Sequence, residues 1–573
     1  MLRLERYIRP YWGYILLTMV IKLLGSVMEL LIPYLMEIML DVKVPQGNLP
    51  HIWLYGLMML LAAAGCLGFN VLANRMSAKS SGKITLALRH DLFRKLQSLS
   101  ARQMDHLTVP SAESRLTSDT YNVNQLLARL QRLGIRAPIL LLGGVAMMMS
   151  MDPALSLVLL ALLPIIALVV YFVTKTSVPL YTRQQSVLDK VVRTVQENIT
   201  GIRVIKALSK TEYEKQRFHT VNQELTQVDM RSGIVTGITN PVSTLVLNLG
   251  LTLVVVIGAW RVNSGAVRSG VIVAFLQYFT MILNAMLGVT RIFVMWSKGE
   301  ASAKRVADVL EYPEDLAVEE ARARDAEEDT PHIEFRDVSF SYTGVGKNIE
   351  NLSFSLKRGQ TLGILGPTGS GKSTILNLLL RLYDPDSGAV YIDGQDVRTI
   401  PYDTLREKFG TVFQNDFLAE GTVGGNIRFF RELEDADLLR AAADAQAEFL
   451  ADKGGLDAPV QVRGNNLSGG QKQRLLIARA LGGNPEILIL DDASSALDYE
   501  TDARLRRALR EHYRDTTTVL VAQRISSLRH ADLILVLDDG KVIGAGNHGA
   551  LMETCPAYRE LAQIQMGDGK EVG

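Results

Sequence analysis

The chain has 573 residues, room for roughly two to four domains. Its 61 basic and 60 acidic side chains leave a net charge of +1, which excludes the strong basic excess of a nucleic-acid-binding surface. With only two cysteines, Cys66 and Cys555, neither a disulfide framework nor a cysteine metal site holds the fold together.

Hydrophobicity is crowded into the first half. The opening MLRLERYIRPYW has arginines but no short apolar core before a cleavage site, and reads as an amphipathic lead-in helix rather than a signal peptide. Six membrane spans follow, at roughly 13–40, 52–75, 132–151, 154–175, 240–260 and 271–296. The run Ala154–Val173 alone supplies the roughly 20 apolar residues that a bilayer crossing needs. The third span is short and interrupted by glycine. All four tryptophans (Trp12, Trp53, Trp260 and Trp296) fall at span ends, where interfacial rings belong.

The segments 76–131 and 176–239 are long and rich in Lys and Arg, whereas the links 41–51 and 150–153 carry only Lys43. This asymmetry predicts a multi-pass protein of the cell membrane with the long loops and both termini in the cytoplasm, although Arg261 and Arg268 in the link 261–270 run against it. Both long loops keep apolar residues at helical spacing, so helices continue past the bilayer. Their tips are expected near Ser114–Val123 and Gly201–Leu208. Polar side chains within the spans are Lys22, Glu29, Glu37, Asn70, Asn248, Gln277, Asn284 and Arg291. Intramembrane charge usually faces a bundle interior or a wet cavity, and helix-to-helix bonding is the alternative to substrate contact. Lys22 and Glu29, seven apart on one helix face, are candidates to pair with each other. An acidic, solvated linker occupies 312–331.

The soluble half carries sharper signals. GILGPTGSGKSTIL, from Gly363 to Leu376, is an apolar strand, a Gly-rich loop and a helix start, matching G-x-x-x-x-G-K-[ST]. Glycines let backbone N–H groups wrap phosphates, and the helix N-terminus adds its positive dipole. Lys372 is placed to reach the β- and γ-phosphates and Ser373 to hold Mg²⁺. ILILD ends on Asp491, a second metal partner at the C-terminal end of a parallel strand. Between the two lies LSGGQKQRLLIARAL, Leu467 to Leu481, a Gly-containing turn opening an amphipathic helix.

With these residues the chain resembles the ABC transporter ATPases, and the six spans ahead make it resemble an exporter-type half-transporter over its whole length. GPTGSGKST stands as Walker A, ILILDD as Walker B, LSGGQ as the signature, FSYTG as the adenine-stacking segment, VFQND as the Q-loop and SALD as the D-loop. The resemblance implies a six-helix α-helical transmembrane domain at 1–311, the linker, and an α/β P-loop NTPase domain at 332–573. It implies ATP held by Tyr342, Gly366, Thr368, Gly369, Ser370, Gly371, Lys372, Ser373 and Thr374, with Mg²⁺ on Ser373, Gln414 and Asp491. It further implies that Ser468, Gly469, Gly470, Gln471 and Asp498 serve ATP shared with a second half-transporter, and that the loop tips act as coupling helices docking on the ATPases.

The expected catalytic set is Asp492, Gln523 and Gln414; Gln414 fits the family's Q-loop, and the chain departs from the family at the other two. The family has Glu after the Walker B aspartate as general base. Asp492 sets its carboxylate back by about one C–C projection, ~1.3 Å, and general-base contributions depend on geometry. The switch histidine is replaced by Gln523 in VLVAQRISS, and His530 fits no register with it. Gln donates a hydrogen bond but carries no proton charge. Val462 stands where an acidic residue is usual ahead of the signature.

These features predict the degenerate-site subunit of a heterodimeric exporter in the lipid membrane. It binds Mg·ATP weakly catalysed on its own side and lends an intact signature to a competent partner. Its substrates are hydrophobic or amphipathic small molecules, lipids or peptides. A homodimer with slow hydrolysis, a non-transporting ATP-gated regulator of a channel, and inward transport are the alternatives.

Overall fold

The computed structural model describes residues 2–313, 315–319, 330–414 and 416–566. Residues 314 and 320–329 of the expected linker, and the side chain of Arg291, lie outside these. The chain divides into two compact units, Met1–Ser98 with Pro110–Tyr312, and Leu99–Val109 with Pro313–Gly573.

The first unit is built of long helices: Trp12–Ile38, Leu49–Ser98, Thr120–Met151, Pro153–Thr200, Thr211–Gly237, Thr239–Asn263 and Ser269–Leu310. Each of the six expected spans lies in one of them. Among the described residues five stretches are long and apolar enough to cross a membrane, and the span at 154–175 is represented by the shorter apolar stretch Pro153–Ile165. The helix Leu49–Ser98 has 50 residues, about 75 Å at 1.5 Å per residue and well beyond a hydrocarbon core of ~30 Å.

The glycines that interrupt the third span are packing residues. A Cβ at Gly144 meets Ile282 at 2.8 Å, so only glycine admits the helix Ser269–Leu310 this closely. The expected pairing of Lys22 with Glu29 is not formed. Lys22 Nζ donates to Asn70 Oδ1 at 2.5 Å, and Glu29 takes a two-pronged bond from Arg136 at 2.8 and 3.2 Å. Each charge finds a partner on a neighbouring helix, where the forked guanidinium fits a carboxylate best.

The two arginines that oppose the charge asymmetry are also accounted for. Arg261 Nη2 lies 2.7 Å from Asp152 Oδ2, and Arg268 donates to the Asp41 carbonyl at 2.8 Å. The Asp41 carboxylate accepts from the N–H groups of Gly270 and Val271 at 2.6 and 3.0 Å, capping the start of another helix.

The second unit holds two larger sheets. One is antiparallel, in the order Ile349–Leu356, Ile333–Phe340, Ser387–Ile392, Gln395–Asp396. The other has six strands in the order Lys541–Gly546, Leu533–Asp538, Thr361–Leu365, Thr517–Val521, Ile487–Asp491, Phe409–Val412, parallel except for the first. A core of Ile, Leu, Val and Phe from both sheets packs around the helix Lys372–Leu379. A second core surrounds the helix Gly469–Leu481.

The segment Leu99–Val109, expected within the membrane domain, groups with this unit instead. Its helix Ala101–Leu107 starts on a Ser100–Gln103 capping box. Asp105 accepts from the Tyr383 hydroxyl at 2.6 Å, and Gln103 donates to the Pro313 carbonyl at 2.7 Å. The first loop therefore turns at 99–109 rather than at Ser114–Val123, because helical periodicity runs on through both stretches and does not mark the turn. At the second tip, within the first unit, a short helix Ile202–Ala207 leaves Val204 and Leu208 exposed.

Candidate functional site

Parallel register builds the site. In the six-stranded sheet Val521 pairs with Asp491 on one side and with Ile364 on the other. Three chain segments therefore leave the sheet at the same edge: the Gly-rich loop, the acidic pair and the stretch containing Gln523. Asp492 N donates to the Val521 carbonyl at 3.0 Å, extending the ladder by one residue. That bond brings the Gln523 Nε2 to 3.3 Å from Asp492 Oδ2.

A cavity of about 330 Å³ opens over this edge, with Tyr342, Lys372, Ser373, Gln414, Asp491 and Asp492 among its lining residues. Thr368, Gly369, Gly371, Thr374 and Gln523 line it too. Gly371 has φ of +100°, and a Cβ there meets the Asn348 carbonyl at 2.7 Å. Glycine is thus required on two counts where the loop turns into the helix Lys372–Leu379. Gly366 and Ser370 are not among the lining residues, and among the described residues the buried Ser370 hydroxyl has no hydrogen-bond partner. Lys372 Nζ folds back onto the carbonyls of Gly366 and Pro367 at 2.9 and 2.7 Å.

Ser373 Oγ lies 3.4 Å from Asp491 Oδ2. Hydroxyl, carboxylate and the Gln414 amide form an all-oxygen donor set of the kind Mg²⁺ prefers. Burial, then the adjacent Asp492, hold the Asp491 carboxyl above its ordinary range against Ser373 and Lys372. Burial also raises Asp492, opposed by Lys372 and Arg524. Lys372 in turn is lowered by burial while both carboxylates pull it up. A bound cation stabilises both acids in their charged form.

Asp492 sits at φ of +52°. Asp and Asn are the non-glycine residues that best tolerate this left-handed region. The backbone therefore supplies a reason for a short acid here that the sequence does not reveal.

Tyr342 presents its ring at the cavity rim, braced edge-on by Tyr383 at 5.0 Å and by an Asn377 Nδ2 bond to its hydroxyl at 2.9 Å. Ser468, Gly469, Gly470 and Gln471 do not line the cavity. They form the capped start of the helix Gly469–Leu481, with Ser468 and Gln471 bonded to each other's backbone. Asp498 lies outside it as well and caps the helix Tyr499–His512 through Thr501 N at 2.8 Å.

Three contributors were not apparent from the sequence. Asn348 lines the cavity and accepts from Tyr342 N at 3.0 Å. Arg524 stacks on Tyr499 with its guanidinium 5.0 Å from the ring centre while bearing on Asp492. Asp416 forms a buried ion pair with Arg479 at 2.6 Å. That pair ties the segment after Gln414 to the signature helix. Only the spacing Q-x-D in VFQND hinted at it.

Comparison with known proteins agrees with this geometry. The profile of the ABC transporter transmembrane region matches residues 15–286, and the ABC transporter profile matches residues 349–495. An ABC transporter ATP-binding protein of Mycobacterium tuberculosis is 33% identical over 574 residues, covering 98% of this chain and 97% of its own. The ABC transporter ATP-binding protein YfiB of Bacillus subtilis is 34% identical over 570 residues, covering 99% of each. Among solved structures, a bacterial Atm1-family ABC exporter with ATP bound superimposes with a TM-score of 0.81 at 25% identity, covering 98% of this chain and 99% of that one.

Proposed function

The chain belongs to the ABC transporter family, and from that premise we propose that it is the degenerate-site half of a heterodimeric exporter. The observation that carries this reading is the contact of Gln523 with Asp492 in the nucleotide cavity. At the two positions where the family keeps a proton-carrying histidine and a long carboxylate, this site has an amide bonded to a short one. The amide takes no proton, and the short carboxylate is set back from where a general base must stand.

ATP binds between Tyr342 and the Gly-rich loop, with Lys372 and the helix N-terminus on its phosphates. Mg²⁺, held by Ser373, Asp491 and Gln414, neutralises phosphate charge when bound. The signature residues Ser468, Gly469 and Gly470 stand outside this cavity, so they serve the ATP of a second half-transporter, with Gln471 and Asp498 beside them. That partner brings the glutamate and histidine missing here. Closing the two ATPase domains on ATP turns the transmembrane cavity outward, and hydrolysis at the partner's site resets it.

The termini and the ATPase unit lie in the cytoplasm in this reading. The ion pair of Arg261 with Asp152 supports it, since that exceptional arginine is neutralised locally, while Arg268 is tied to the Asp41 carbonyl. The helices Ala101–Leu107 and Ile202–Ala207 are then the two coupling elements. A cavity of about 920 Å³ beside the helices Thr239–Asn263 and Ser269–Leu310 carries Asn248, Thr252, Gln277, Thr280 and Asn284 among apolar side chains. Uncharged hydrogen-bonding groups on an apolar wall favour amphipathic substrates over strongly charged ones.

The test is the ATPase rate of the purified chain alone and with a second half-transporter that has Glu and His at the matching positions. The reading expects slow turnover alone and brisk turnover together. Brisk, cooperative turnover by the chain alone overturns it in favour of a homodimer.

A further inference from the structure

Next to the acidic pair in the chain, at Leu490, Ala493 and Ser494, the ATPase unit has a second cavity, of about 550 Å³. Leu490 and Leu520, from neighbouring strands, and Leu505, from the helix Tyr499–His512, give it an apolar floor. Five arginines, Arg506, Arg507, Arg510, Arg514 and Arg529, line its other walls with His530 and the single acid Asp502.

Among the described residues, only Arg506 of these arginines has an acidic partner. Arg506 bonds to Asp502 Oδ2 at 2.6 Å and to the Ser526 carbonyl at 2.8 Å, which fixes it at the cavity wall. Among the described residues Arg507, Arg510, Arg514 and Arg529 have neither an acidic partner nor a hydrogen bond from the side chain. His530 feels them: its imidazole is held below the ordinary range, by burial first and then by Arg510, Arg529 and Arg506. Like charges gathered around a concave surface without counter-charge repel one another, and an anion placed among them relieves that cost. Guanidinium groups are the side chains best shaped to grip phosphate or carboxylate.

We propose that this cavity binds a small amphiphilic anion, an aromatic or short aliphatic body on the leucine floor carrying a phosphate or carboxylate to the arginines. The site is distinct from the ATP cavity but borders the same two segments. Ala493 and Ser494, the residues following Asp492, line it, as do Ser526, Ser527, Arg529, His530 and Ala531, shortly after Gln523. An occupant therefore bears on both halves of the contact between Gln523 and Asp492.

The test is calorimetric titration of the full-length chain, its ATP cavity saturated with a non-hydrolysable ATP analogue. The probes are phenyl phosphate and, separately, inorganic phosphate. The expected result is that phenyl phosphate binds at least about tenfold more tightly than inorganic phosphate, and that Arg510→Gln with Arg529→Gln weakens it by a further tenfold or more. Affinity for the ATP analogue stays unchanged in that double variant. Arg440→Gln, an exposed arginine elsewhere in the unit, leaves phenyl phosphate binding unaltered and controls for net charge. The proposal is overturned if phenyl phosphate does not bind, if the two probes bind equally, or if the double variant binds as the parent does.

Discussion

Gln523 Nε2 stands 3.3 Å from Asp492 Oδ2, across 31 residues of sequence. The amide donates to the carboxylate and so occupies one of the oxygens that an attacking water would use. The two departures from the family are thus one local arrangement, and changing them together is the informative experiment. Asp492→Glu with Gln523→His is expected to raise the ATPase rate of the purified chain by about 10²-fold, the lower end of general-base contributions. Each single change is expected to give less. A double variant as slow as the parent would place the block elsewhere in the cycle.

Asp492→Glu carries a separate cost. Its backbone at φ of +52° suits Asp better than the longer acid. A stability loss of about 1 kcal/mol is expected, seen as a lower melting temperature of the ATPase unit. An unchanged melting temperature would show that the backbone has no part in the choice of Asp.

Nucleotide binding should persist where hydrolysis is weak. Lys372→Ala is expected to lower affinity for a fluorescent ATP analogue by at least about tenfold, one charge-assisted contact. Ser373→Ala is expected to weaken the dependence of binding on Mg²⁺ while sparing much of the affinity measured with the metal chelated. If Lys372→Ala binds as tightly as the parent, ATP does not sit on the Gly-rich loop.

The buried pair Arg479–Asp416 supports the approach of Gln414 to the cavity. Arg479→Ala leaves a buried carboxylate unpaired and is expected to cost about 3 kcal/mol by chemical denaturation. Asp416→Ala added to it should recover part of that loss. A purely additive double variant would mean the two side chains do not interact.

A pH effect follows from His332, whose imidazole is fully buried. Its Nδ1 is 2.6 Å from Thr517 Oγ1, and among the described residues its Nε2 has no hydrogen-bond partner. Burial first, then Arg358 and Lys408, outweigh the pull of Asp393 and Glu486 and hold it below the ordinary imidazole value. A depressed value in the folded state means the unfolded chain binds the extra proton. Stability from this group is therefore present above the unfolded value, about pH 6.5, and is lost as the pH falls below it. His332→Gln is expected to flatten the fall in melting temperature between pH 7.5 and pH 5.5. An unaltered slope would assign the effect to other groups.

The sequence alone was enough for everything that depends on contiguous residues. A P-loop is a local object, with glycines where the backbone turns into a helix and a lysine and serine at its start, so GPTGSGKST declared its cavity before any fold was known. A bilayer span is equally local, because one uninterrupted apolar stretch must cross the hydrocarbon. Tertiary structure decided whatever depends on which elements become neighbours. Lys22 and Glu29 share a helix face, yet each is partnered from another helix, by Asn70 and by Arg136. The segment Leu99–Val109 belongs with the ATPase unit, although its periodicity is indistinguishable from that of the helices around it. Gln523 meets Asp492 because three parallel strands align their C-terminal ends, and the signature stays outside the cavity for want of any strand leading it there. Register and packing are relations between distant segments, fixed by hydrogen-bond ladders and side-chain volume, and a linear pattern does not contain them.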